Sequence, residues 1–244
     1  MTAFGAALWY TLRVTVPPRR WALLLVPVGA AVLFGLLARL VAAGESDAGD
    51  ALATVTEGLF GLVLPFVCLV LGDAVVGAEV RSGALALTWL SPLPFPALVL
   101  ARWLGGWLLA CAVLLPAMAL AAAAAGVPGG AAPLALSAAT AAGAYVAMFV
   151  VIGVLTRRAA LWSLGVVLLG ERLLGTVLAG VAQVSPQWLA RGAYGGLGPD
   201  AGELVRSGVP SGSSALGRLA LLAVVFLAVA VWRVRDLRLA PTAD

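Results

Sequence analysis

Glu171 and Arg172 stand side by side within the apolar run 159–182, and Asp73 stands near the end of another, 58–78. A charged side chain at the centre of a bilayer costs roughly 2.5–3.5 kcal/mol on insertion scales. Each of these residues therefore needs a polar partner or a water-filled path. Neighbours in a helix project about 100° apart, so Glu171 and Arg172 do not simply neutralise each other. Two readings stand open for them, a substrate-path or interface group and a satisfied interhelical hydrogen bond. Asp73 suits contact with water or with an arginine at the membrane rim. A proton carrier needs several such groups along one path, and this chain offers few. Between the second and third apolar runs lies a polar island, residues 79–94, EVRSGALALTWLSPLP.

The residue types that are missing narrow the chemistry further. There is no histidine and no lysine, so all 15 basic residues are arginine. A phosphate-binding P-loop uses a lysine, and a His-Glu-x-x-His zinc site uses two histidines. Ser-His and Cys-His catalytic pairs need histidine as well. A lysine Schiff base is excluded in the same way. Cys68 and Cys111 each fall in an apolar run and read as small packing residues, not as a disulfide or a metal site. The expectation is a chain without enzymatic activity, metal or cofactor of its own, and without a nucleic-acid partner.

What must hold these groups is a membrane-embedded scaffold. Hydrophobic residues make up 63% of the 244-residue chain, against roughly 45–50% in soluble domains. Mean hydropathy is +1.08. A spanning helix needs about 20 mostly apolar residues. Six runs qualify: 21–43, 58–78, 97–125, 134–155, 159–182 and 215–232. The expected fold is an all-α polytopic membrane protein with six transmembrane helices. The turn Gly126-Val127-Pro128-Gly129-Gly130 separates the third run from the fourth, and Thr156-Arg157-Arg158 separates the fourth from the fifth.

The distribution of arginines sets the expected orientation. With both termini in the cytoplasm, that side receives ten of the 15: Arg13, Arg19, Arg20, Arg81, Arg102, Arg157, Arg158, Arg233, Arg235 and Arg238. Positive residues favour the cytoplasm. The first run is too long for a signal-peptide core and is followed by more membrane. Ahead of it, Phe4, Leu8, Leu12 and Val16 recur every four residues, with Trp9 and Tyr10 between them. Residues 1–18 therefore read as an interfacial helix, stopped by Pro17-Pro18. The remaining non-spanning stretch, 183–214, is apolar in its first half and too short to span. A re-entrant or interfacial hairpin and an ordinary outer loop both suit it. In the fifth run Gly165, Gly170, Gly175 and Gly180 recur every five residues. That spacing makes no single stripe, and close packing at several faces is the expectation.

The motif Glu79-x-x-x-Gly83, followed by Ser91-Pro92 ahead of the third span, resembles the cytoplasmic loop of ABC type-2 transporter permeases. The residues Gly77-Ala78-Glu79-Val80-Arg81 carry one acid and one base where that family often has a second glutamate or a charged pair. In residues the resemblance covers 79–103. In topology it extends to nearly the whole chain, with 1–18 as an elbow helix and 19–244 as a six-helix domain. It implies the permease subunit of an exporter in the inner (plasma) membrane of a bacterium. Such a subunit is a homodimer or is paired with a second permease. It sits in the lipid bilayer and binds a separate ABC ATPase that carries ATP and magnesium. The segment 79–96 would then be the coupling segment, with Glu79, Arg81, Gly83, Leu87, Ser91 and Pro92 near the ATPase and Arg13 contributing from the elbow. The implied substrate is lipid-like, drug-like or otherwise amphipathic. The run Leu90-Ser91-Pro92-Leu93-Pro94 also resembles haem-exporter permeases of cytochrome c assembly, although the final connection of that family is shorter than 183–214. A membrane scaffold without transport activity is the alternative from another class.

Overall fold

The structure is a computed structural model that describes residues 2–15, 21–44, 56–77, 93–156, 158–198 and 205–236. The described residues are helical with no strand, and six helices are long and apolar enough to cross a bilayer. The chain is a multi-pass membrane protein. The elements are α1 (Ala3–Thr15), α2 (Trp21–Gly44), α3 (Thr56–Val75), α4 (Phe95–Ala124), α5 (Ala131–Leu155), α6 (Ala159–Val177), α7 (Pro186–Leu197) and α8 (Gly212–Asp236). The six spans are α2 to α6 and α8.

Helix α5 is the hub. It packs against α3, α4, α7 and α8, and it is the most enclosed of the spans. Lipid offers no hydrophobic drive to join apolar helices, so association relies on small residues that let backbones approach. Ala138, Ala141, Ala142, Ala144 and Ala147 supply that surface on α5. Small residues serve neighbouring helices too. Gly72 of α3 meets Phe149 of α5, and Gly35 of α2 abuts the Ala121 carbonyl of α4. Two indoles of α4 add polar ties. Trp103 Nε1 donates to the Gly143 carbonyl at 2.9 Å, and Trp107 Nε1 to Ala139 at 2.8 Å. The two rings stack on each other with centroids 5.6 Å apart.

Local signals explain the ends of these helices. Thr2 Oγ1 accepts from the Gly5 amide at 3.3 Å and caps α1. Helix α4 closes in a Schellman motif. Val127 N–H donates to Ala122 O at 3.0 Å and Gly126 N–H to Ala123 O at 3.1 Å. Gly126 has φ +82°, which a side chain would strain. The fifth span is shorter than the expected 159–182. Backbone at Leu178 is extended, with φ −104° and ψ 111°, and a separate short helix, Ala179–Ala182, follows. Within 183–214, residues 186–197 form α7, whose Leu189, Ala190, Ala193 and Tyr194 are buried. The glycine packing expected along 159–182 holds only in part. A Cβ on Gly175 would strike Trp188, whereas Gly165 and Gly180 have nothing within 4 Å.

Among the described residues three segments are π-helical: Leu59–Val63 and Asp73–Gly77 in and just beyond α3, and Val166–Leu174 in α6. Such wide turns are rare and cluster at functional sites. The last of them carries Glu171 and Arg172.

Candidate functional site

Two polar clusters stand out among the described residues. The first is built on α1. Helix α1 packs on α4 and on the Asp73–Gly77 turn. Thr11 is buried and lies so close to Gly105 that a Cβ there would be 2.8 Å from Thr11 Cγ2. Arg102, buried in the early turns of α4, donates from Nη1 to Thr11 Oγ1 at 3.2 Å. Its guanidinium also lies over the Tyr10 ring, 5.0 Å from the centroid. Both contacts reach this cation, inside an apolar helix, from the side of α1. Arg13 is exposed in the last turn of α1 and covers the Trp9 ring at 5.0 Å. Asp73 is half-buried at the start of the π-helical turn that α1 touches. Glu79, Arg81, Gly83, Leu87, Ser91 and Pro92 lie outside the described residues. The helix ends that flank them, Gly77 and Phe95, belong to the elements that α1 packs against.

The second cluster centres on Glu171. Its carboxylate is buried and accepts from three neutral donors. Tyr145 of α5 donates its hydroxyl to Oε2. Ser185 Oγ donates to Oε1 at 2.8 Å, and the Gln187 amide to Oε1 at 3.4 Å. Ser185 is the N-cap of α7, so the carboxylate lies at the positive end of that helix. Trp188 Nε1 reaches back to the Glu171 carbonyl at 3.3 Å, which fixes α7 against α6 a second time. The interhelical hydrogen bond, one of the two readings open for Glu171, is present.

Arg172 reaches toward α3. Its Nη2 occupies the space beside Gly61 in the π-turn of α3, where a Cβ would come within 2.5 Å. Two more arginines flank Trp188, with Arg191 4.9 Å and Arg206 5.0 Å from the ring centroid. Arg206 also donates to the carbonyls of Gly175 and, at 2.7 Å, of Thr176. Those are orphan acceptors at the end of α6, and the arginine closes the helix there. Burial holds the Arg191 guanidinium below its ordinary range; Glu57 opposes that shift and Arg172 adds to it.

Sequence reasoning found Glu171 and Arg172 but not Tyr145, Ser185, Gln187, Trp188, Arg191 or Arg206 as their surroundings. One signal was available: a serine followed by proline marks an N-cap and a first helical position. No group of three or more metal-ligating residues occurs among the described residues. The chemistry of the arrangement is that of an electrostatic clasp between α5, α6 and α7. No protein-family model matches the chain, and no curated protein matches it.

Proposed function

We propose that the chain is the permease subunit of an ATP-driven exporter, moving an amphipathic substrate at the expense of ATP hydrolysed by a separate ATPase. The observation that carries this reading is the seat of α1. It packs on α4 and on the turn that follows α3, the two elements joined by residues 78–92. A movement of that connecting segment would therefore bear on α1 and on two spans together. This is the requirement for a coupling segment, because work passes only through contacts that differ between states. Glu79, Arg81, Gly83, Leu87, Ser91 and Pro92 form the ATPase-facing surface in this reading, and Arg13 adds a cation from the adjacent helix.

The arginine asymmetry supports a cytoplasmic location for that end and for both termini. In this orientation α1 is the elbow helix on the inner leaflet of the plasma membrane, and α7 with the Glu171 clasp lies toward the outside. The clasp then works as a fixed point. It holds the outer end while the α1 end receives the stroke.

The test is co-purification of the full chain with the ATPase encoded beside it, followed by mass determination of the complex. The expected result is two permease chains with two ATPase chains, and ATP hydrolysis only when the ATPase is present. Hydrolysis by the chain alone, or failure of every neighbouring ATPase to bind, contradicts the proposal.

A further inference from the structure

We infer that a groove between α4 and α8 binds one anionic phospholipid from the leaflet at the α1 end. The groove holds about 430 Å³ and is lined by Pro96 and Leu100 of α4 and by one face of α8. That face is Val224, Leu227, Ala228, Val231, Trp232 and Arg235, spaced three and one residues apart in turn along the helix. Eleven residues of helix rise about 16 Å, roughly half of a hydrocarbon core about 30 Å thick. The groove therefore runs the depth of one leaflet.

Its chemistry changes along its length. The deep part is aliphatic and offers an acyl chain no polar atom. The outer part ends in Trp232, which is 63% exposed, and in the exposed guanidinium of Arg235. Tryptophan favours the headgroup level, and arginine there attracts anionic lipid. No acidic residue lines the groove among the described residues. A second cation, Arg233, lies in the same last turn of α8. An apolar slot one leaflet deep, closed by an indole and a cation at its polar edge, matches an acyl chain bearing a negative headgroup. This inference needs only the membrane setting and is independent of ATP coupling.

The experiment uses the full chain reconstituted in bilayers with acyl-brominated phosphatidylglycerol or phosphatidylcholine. The Trp232 signal is the difference in quenching between wild type and Trp232→Phe. The expected result is a preference of roughly fivefold for the anionic lipid, the ratio one arginine near the surface sustains. Arg235→Gln should bring that ratio close to one. Ala228→Phe, a change at an exposed position that fills the slot, should reduce quenching by both lipids. Equal quenching by the two lipids in wild type, or a preference that survives Arg235→Gln, overturns the inference. So does a Trp232 shielded from both lipids, the result expected if another segment or a second copy covers the groove.

Discussion

Ser185 Oγ donates to Glu171 Oε1 across 2.8 Å, so a carboxylate on a spanning helix is hydrogen-bonded to the cap of a short helix 14 residues further along. Tyr145 joins the same carboxylate from α5. One residue thereby ties three helices at a place where water is scarce. In such surroundings a donor left without an acceptor costs more than the bond itself contributes.

Glu171→Ala should accordingly destabilise the fold by about 3 kcal/mol or more, because it strands three buried donors at about 1–3 kcal/mol each. Tyr145→Phe should cost only about 1 kcal/mol, since Ser185 and Gln187 still serve the carboxylate. Thermal unfolding of the purified variants measures both. An unchanged melting temperature for Glu171→Ala would show that the clasp contributes nothing to stability.

Glycines of α6 should respond unequally. An alanine at Gly175 places its Cβ 2.6 Å from Trp188 Nε1 and 3.0 Å from Cδ1. The indole cannot move aside freely, because Arg191 and Arg206 flank it and its N–H bonds the Glu171 carbonyl. Overpacking of this kind costs about 1–3 kcal/mol. At Gly165 the same change meets open space and improves helix propensity by up to about 1 kcal/mol. Loss of stability at Gly175→Ala with none at Gly165→Ala is the expected pattern in the same melts.

What was legible in the sequence divides along physical lines. Spans are readable because about 20 consecutive apolar residues have few other uses. The charges within them are readable because they are costly. Their partners are another matter. Tyr145 lies amid alanines and valines, 26 residues before the carboxylate it bonds. Nothing local marks it, since the contact depends on how α5 and α6 pack. The regular glycines of the run 159–182 invited one explanation for four residues, yet only Gly175 faces a neighbouring helix. The break at Leu178 escaped because no proline marks it. Carbonyls freed there are taken up by Arg206, a residue from a distant stretch.

Burial pushes the Tyr194 phenol up to about 12, against an ordinary tyrosine value of about 10. The folded state thus holds its proton more tightly than the unfolded state. Stability from this source is complete below about pH 10 and is lost as pH rises through about 12. Tyr194→Phe should lose less stability than wild type over that window, while keeping the ring contact with Phe60, whose centroid is 6.3 Å away. Unfolding measured from pH 9 to 12 checks this, and parallel alkaline curves for the two proteins would refute it.

In the proposed function, residues 78–92 pass the work of an ATPase to the spans they join. The most direct measurement of this coupling is the ratio of export to ATP hydrolysis in proteoliposomes containing the full complex. Wild type is compared with Glu79→Ala and Gly83→Leu. Both variants should insert and dimerise normally, then bind the ATPase more weakly or hydrolyse ATP with little export. Wild-type assembly, hydrolysis and export in both variants would reduce the segment to a connection and contradict the account.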